Sequence, residues 1–205
     1  MPKKRRPELA GDSLIMWRFK ASERGFSLIE VLIAVIIFGV GLLAVASLQS
    51  VARKSSYEAV QRTTAVHLAN SLLERMRANP RALENYLGGL GERTLSEAAP
   101  PAVATGCVTA SCSASALAVV DVDQWWGLVI GNSEQVGGQP VGGLVRPTVC
   151  IRGESDGATG AYEVAIAWRG TTEIDQGGAD SCAETDTAYG DFRRVVVVSS
   201  YLNAL

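Results

Sequence analysis

Arg24-Gly25-Phe26-Ser27-Leu28-Ile29-Glu30-Val31 opens an apolar run that ends near Leu48. From Val31 to Leu48 nothing is charged, and Ser47 is the conspicuously polar residue. The run is about long enough for a helix to cross a bilayer, which takes roughly 20 apolar residues. Two features set it apart from a plain anchor. A basic segment stops at a glycine, and one carboxylate, Glu30, stands almost at the start of the run. A charge deep in a bilayer costs roughly 2.5–3.5 kcal/mol on insertion scales, so a carboxylate there needs a partner. At the headgroup boundary it stays wet and needs none. A cut after Gly25 would place a terminal amine on Phe26, and the amine of a neighbouring copy could neutralise Glu30, since an ion pair is stronger where water is excluded.

Residues 1–25 read as a targeting segment to be set aside in fold reasoning. Lys3, Lys4, Arg5, Arg6, Arg18, Lys20 and Arg24 outweigh Glu8, Asp12 and Glu23. That excess keeps the segment in the cytoplasm by the positive-inside rule and sends the C-terminal domain to the periplasm. The segment lacks the apolar core and small-residue cleavage site of a secretory signal. Met16 opens a shorter basic leader, so both Met1 and Met16 stand as start sites.

Gly25-Phe26-Ser27-Leu28-Ile29-Glu30, followed by Val31-Leu32-Ile33-Ala34, resembles the processing site of type IV pilins and their relatives. In that family a prepilin peptidase cuts after the glycine and methylates the new amine. The resemblance implies cleavage between Gly25 and Phe26, N-methylation of Phe26, and Glu30 as the assembly salt-bridge carboxylate.

Beyond the membrane half, 26–49, the helix is expected to continue through 50–79. There is no proline or glycine from Ser50 to Asn79, and Val51, Ser55, Ala59, Ala65, Leu68, Leu72 and Met76 recur at helical spacing. Asn79-Pro80 ends it, because the residue before proline is driven out of helical geometry. Gly39 and Gly41 are weak points inside the apolar half; close helix packing and local melting both account for them. The ending Glu74-Arg75-Met76-Arg77-Ala78-Asn79, with Gly41-Leu42-Leu43 and Leu48-Gln49, is similar to the PilV family of minor pilins, the type IV pilus modification proteins. Asp121 with Trp125 and the late strands extend that similarity more weakly.

Residues 80–205 read as a periplasmic globular α+β domain, and the long N-terminal helix laid against its small antiparallel sheet resembles the type IV pilin fold. The region 81–106 reads as turns and loop with a short helix near Arg81 to Tyr86. Ser113 to Ile130 reads as a second helix capped by Ser113, with Leu117, Val120, Asp121 and Gln124 at helical spacing and Trp125-Trp126 as packing residues. Glycine-rich loops follow from Gly131 to Gly143. Thr148 to Ile151, Tyr162 to Trp168 and Arg193 to Tyr201 alternate as strands, with an acidic loop from Thr171 to Asp191.

The four cysteines, Cys107, Cys112, Cys150 and Cys182, allow three pairings, and a periplasmic site supports disulfides. Cys107–Cys112 as a tight local loop and Cys150–Cys182 as a staple for the acidic loop are favoured. The spacings are not those of a metal site, and the sole histidine, His67, reads as a solvated helix residue. Without the leader the chain has 12 basic and 18 acidic residues, so it presents no general attraction for nucleic acid. No phosphate loop and no HExxH is present. Asp121 and Asp123 read as a helix face, and no enzyme activity, cofactor or metal is expected.

The resemblance implies a structural subunit of a type IV pilus, a minor pilin acting in pilus assembly and initiation, hence in adhesion and twitching motility. It implies as partners the prepilin peptidase, other minor pilins and the major pilin, the inner-membrane assembly platform, and membrane lipid before assembly. Two other readings stand beside it: a minor pseudopilin of type II secretion, and a membrane-anchored periplasmic module that binds DNA or another ligand.

Overall fold

The computed structural model describes residues 25–89, 91–102, 107, 111–154, 156–174 and 180–204. It divides into two compact units, Met1–Ser47 and Leu48–Leu205. Helix α1 spans Leu28–Ala78, and its last residue precedes Asn79-Pro80 as expected. A 3-10 turn, Pro80–Ala82, and the one-turn helix α2, Leu83–Tyr86, follow. Next come β1 (Glu92–Ser96), α3 (Ala114–Val129), and the short strands β2 (Gln135–Val136) and β3 (Gln139–Pro140). The chain closes with β4 (Thr148–Arg152), β5 (Gly160–Arg169) and β6 (Arg193–Leu202).

The main sheet has the order β1-β4-β5-β6 and is antiparallel throughout. Its inner face carries Leu95, Val149, Ile151, Tyr162, Val164, Ile166 and Trp168, all in one buried cluster with α1 and α3. The fold is therefore α+β, a long N-terminal helix with a small antiparallel sheet. Strand β1 corrects the reading of 81–106 as turns and loop. Glu-Arg-Thr-Leu-Ser has no strong alternation of its own, and its conformation comes from pairing with β4, Glu92 opposite Arg152 through Ser96 opposite Thr148.

In α1 the buried residues are Gln61, Ala65, Leu68, Ala69, Leu72, Leu73 and Met76. Val51, Ser55 and Ala59, expected on the same apolar face, are exposed. The stripe continues in sequence past the point where the domain covers it.

Helix α3 begins where expected: the Ser113 hydroxyl accepts from the Ala116 N–H at 3.2 Å. Its core face is Ala118, Val122, Trp125 and Val129, one position round from the Leu117 and Gln124 face, both of which are exposed. Trp125 is fully buried, and its indole N–H donates to the Leu68 carbonyl at 2.9 Å, so its polar end is satisfied inside the core. Past α3 the chain turns at Gly131 (φ 71°), where a Cβ would lie 2.0 Å from the backbone nitrogen of Gly143. The glycine there permits both the left-handed geometry and the close backbone crossing. Gly137 and Gly138, at φ 61° and 80°, form the two-residue turn of the β2–β3 hairpin.

The outer face of the sheet carries a second small cluster of Cys150, Ala165, Ala167 and Cys182. This is why β5 is buried on both sides over Val164–Trp168 instead of alternating.

Candidate functional site

The N-terminal unit is built around one helix start. Gly25, Phe26 and Ser27 are non-helical, and the Ser27 carbonyl accepts from the N–H groups of Glu30 (3.0 Å) and Val31 (3.3 Å). Glu30 therefore lies in the first turn of α1, where the helix dipole favours a negative charge. Phe26, Glu30, Ala34 and Phe38 follow one another at four-residue spacing and, with Val31 and Val35, line a shallow apolar groove on that face.

The surface that follows is unusual for a folded chain. Every described residue from Gly25 to Val60 is exposed except Gly39 and Glu58, which are half-buried. Phe26 is 82% exposed and Leu43 73%. Apolar surface of that extent marks a membrane or protein contact, and α1 holds a stretch long and apolar enough to cross a membrane. Among the described residues no side chain hydrogen-bonds to Glu30 or pairs with it. Arg24 lies outside the described residues.

The other end of α1 is fastened by polar contacts. Arg75 Nη1 lies 2.8 Å from Asp121 Oδ1. The Tyr86 hydroxyl donates to Asp121 Oδ2 at 2.6 Å, and Asn79 Nδ2 donates to the Ala114 carbonyl at 2.8 Å. Burial, and then the bond to Asp121, push the Tyr86 phenol well above its ordinary range. Three residues of the run Glu74 to Asn79 therefore have structural work: Arg75 and Asn79 tie α1 to α2 and α3, and Met76 is fully buried. Asp121 is a tie between helices, where sequence reasoning saw only a helix face.

Glu58 makes a second tie. Its carboxylate accepts from Arg194 Nε at 2.9 Å, from the Thr171 N–H at 2.6 Å and hydroxyl at 2.9 Å, and from the Thr172 N–H at 3.1 Å. Burial works against the charge, but the hydrogen bonds of Thr171 and the Arg194 guanidinium outweigh it and hold the pKa at about 2.

On the outer sheet face Arg152 binds Asp180 (2.8 Å), Glu163 (2.6 Å) and Glu92 (3.2 Å), joining β1, β4, β5 and the loop after β5. Arg193 donates to the carbonyls of Asp180 and Cys182. Cys107 is bonded to Cys112 and Cys150 to Cys182, with Cα–Cα separations of 5.6 and 5.8 Å. Glu58, Arg152 and Arg194 escaped sequence reasoning because their partners lie far along the chain. No local pattern signals them.

His67 is exposed and Trp126 is buried, each as read. Among the described residues no group of three or more His, Cys, Asp or Glu side chains could hold a metal. The arrangement offers an exposed apolar helix surface and a pinned domain.

The family model described as type IV pilin Tt1218 matches residues 47–123, and the prokaryotic N-terminal methylation motif matches the adjoining residues 20–46. No curated protein and no solved structure matches the chain.

Proposed function

Taking the chain as a type IV pilin with an N-terminal methylation motif, we propose that it is a minor pilin of the PilV kind, a structural subunit that takes part in assembling and initiating a type IV pilus. One observation carries the reading: α1 begins with a long, exposed apolar surface interrupted by a single carboxylate, Glu30, in its first turn. Lipid covers such a surface before assembly, and the helices of other pilins cover it afterwards.

In this reading a prepilin peptidase cuts between Gly25 and Phe26 and methylates the Phe26 amine. The leader stays cytoplasmic, the helix crosses the inner membrane once, and 80–205 faces the periplasm. Glu30 accepts the terminal amine of a neighbouring subunit once water is excluded, where the pair is stronger than at a surface. The neighbours are other minor pilins and the major pilin, recruited through the inner-membrane assembly platform. Adhesion and twitching follow from the pilus, and the subunit itself does no chemistry.

The test is Glu30→Val. Removing a charge from an apolar segment eases insertion, and no contact within the domain is lost. Processed, membrane-resident protein is expected, with poor incorporation and fewer surface pili. Mass spectrometry of the mature N-terminus reads the cut, and fractionation with pilus counts reads the assembly. Normal incorporation and normal piliation in the variant would overturn the role of Glu30, and an uncut leader would overturn the processing.

A further inference from the structure

The carboxylate of Glu58 sits in a site made by one turn and one guanidinium. Its Oε1 accepts from the Thr171 N–H (2.6 Å) and hydroxyl (2.9 Å), from the Thr172 N–H (3.1 Å) and hydroxyl (3.2 Å), and from Arg194 Nη2 (3.3 Å). Its Oε2 accepts from Arg194 Nε at 2.9 Å. The guanidinium thus meets both oxygens side-on, a geometry that suits a planar carboxylate. Successive backbone N–H groups turned toward one point are an anion-binding arrangement in their own right.

The turn Gly170-Thr171-Thr172 is also held by bonds in which Glu58 takes no part. The Gly170 N–H donates to the Phe192 carbonyl at 2.8 Å, and the Ile174 N–H to the Asp191 carbonyl at 2.9 Å. Arg194 Nη2 donates to the Thr172 carbonyl at 2.7 Å. Both ends of the turn are therefore fixed to the segment that leads into β6, and its middle is fixed to Arg194. Gly170 keeps the floor of the site open: a Cβ there would lie 2.9 Å from Arg194 Cζ and 3.0 Å from Glu58 Oε1. Glu58, by contrast, arrives from α1, in a stretch from Leu48 to Val60 that is otherwise exposed.

We infer that Gly170, Thr171, Thr172 and Arg194 form a carboxylate-binding site that stands without its occupant: Glu58 is the resident, tethered ligand, and a free carboxylate binds there when Glu58 is withdrawn. An ordinary ion pair differs from such a socket in what remains when the glutamate is cut back. A socket remains formed, with two N–H groups, two hydroxyls and a guanidinium still aimed at one point. A turn shaped by Glu58 loosens and binds nothing. The site uses no residue of the apolar start of α1, so it stands or falls separately from the role of Glu30.

The test is an acetate titration of the full chain in detergent, with chloride replaced at constant ionic strength. The parent, Glu58→Ala and Glu58→Ser are compared by amide nuclear magnetic resonance and by melting temperature. In both variants the Thr171 and Thr172 amide resonances should shift saturably with acetate, and the melting temperature should rise along the same curve, because a ligand of the folded state stabilises it. In the parent, where Glu58 fills the site, neither should respond. Adding Gly170→Ala or Arg194→Gln to Glu58→Ala should weaken the acetate response about tenfold or more, since one closes the floor and the other removes the charge-assisted bonds. The Trp125 indole N–H, bonded to the Leu68 carbonyl in the core, reports in every variant whether the domain is folded. Loss of that signal in both Glu58→Ala and Glu58→Ser would overturn a site that stands without its occupant. So would a drift without saturation, an equal response in the parent, or a response that Gly170→Ala and Arg194→Gln leave undiminished.

Discussion

Two carboxylates on one helix, Glu30 and Glu58, show how differently a charge can be used. Glu58 is met at home: Arg194 and the Thr171-Thr172 turn supply its donors, and it ties α1 to the end of β5 and the start of β6. Glu30 has no such side-chain partner among the described residues and stands at the head of a run exposed on all sides. The surroundings repeat the contrast. Around 61–76 apolar residues recur on one face and the domain covers them, whereas around 28–48 they go all the way round. A helix apolar on every side needs an apolar environment on every side. One half of α1 belongs to the fold, and the other awaits an environment.

The contrast can be broken most severely at Trp125. Trp125→Ala removes the largest fully buried side chain and the indole bond to Leu68. A loss of about 3–5 kcal/mol is expected, read by denaturant unfolding of the domain. Asp121→Ala comes next, since it leaves Arg75 without its carboxylate and Tyr86 without its acceptor. The expected loss is about 2–3 kcal/mol in the same assay, with Tyr86→Phe costing only about 1 kcal/mol.

Glu58 should give a smaller, pH-dependent effect. Its folded pKa of about 2 lies below the ordinary value of 4.5, so its contribution is complete above about 4.5 and fades as pH falls toward 2. Unfolding midpoints measured across that window should drop with acid in the parent chain. In Glu58→Gln the slope should be shallower, because the titrating group is gone. The smallest effect is expected at the other carboxylate: Glu30→Val should leave the domain's unfolding midpoint where it was. A clear destabilisation there would show that Glu30 contributes to the fold after all, and the contrast would be lost.

Much of the architecture was legible in the sequence for local reasons. Asn79-Pro80 stops α1 through the geometry of the residue before proline, and Ser113 starts α3 by capping it. Strands β4, β5 and β6 announce themselves through β-branched and aromatic runs. What escaped is what depends on distant partners. Strand β1 takes its identity from β4, and the burial of Ala165 and Ala167 comes from the loop that Cys182 holds over them. Val51, Ser55 and Ala59 were placed on the buried face because periodicity reports the face of a helix and not how far a neighbour extends along it. At the N-terminus a resemblance singles out Gly25, Phe26 and Glu30, and the structure adds that Glu30 lies in the first turn of α1. Asp121 was visible as a residue but not as a tie, since Arg75 and Tyr86 reach it from 46 and 35 positions away.

The bond between Cys150 and Cys182 has a consequence for proteolysis. It joins two points 32 residues apart, and all of β5 lies between them. A protease that cuts the exposed stretch around Thr171 to Ile174 therefore produces a nicked chain rather than two fragments. The piece carrying β6 stays tethered to the piece carrying β4, and β5 remains paired to both. On a gel the nick would be invisible until a reductant was added. A fold stapled this way can be nicked in that loop and still keep β4, β5 and β6 together.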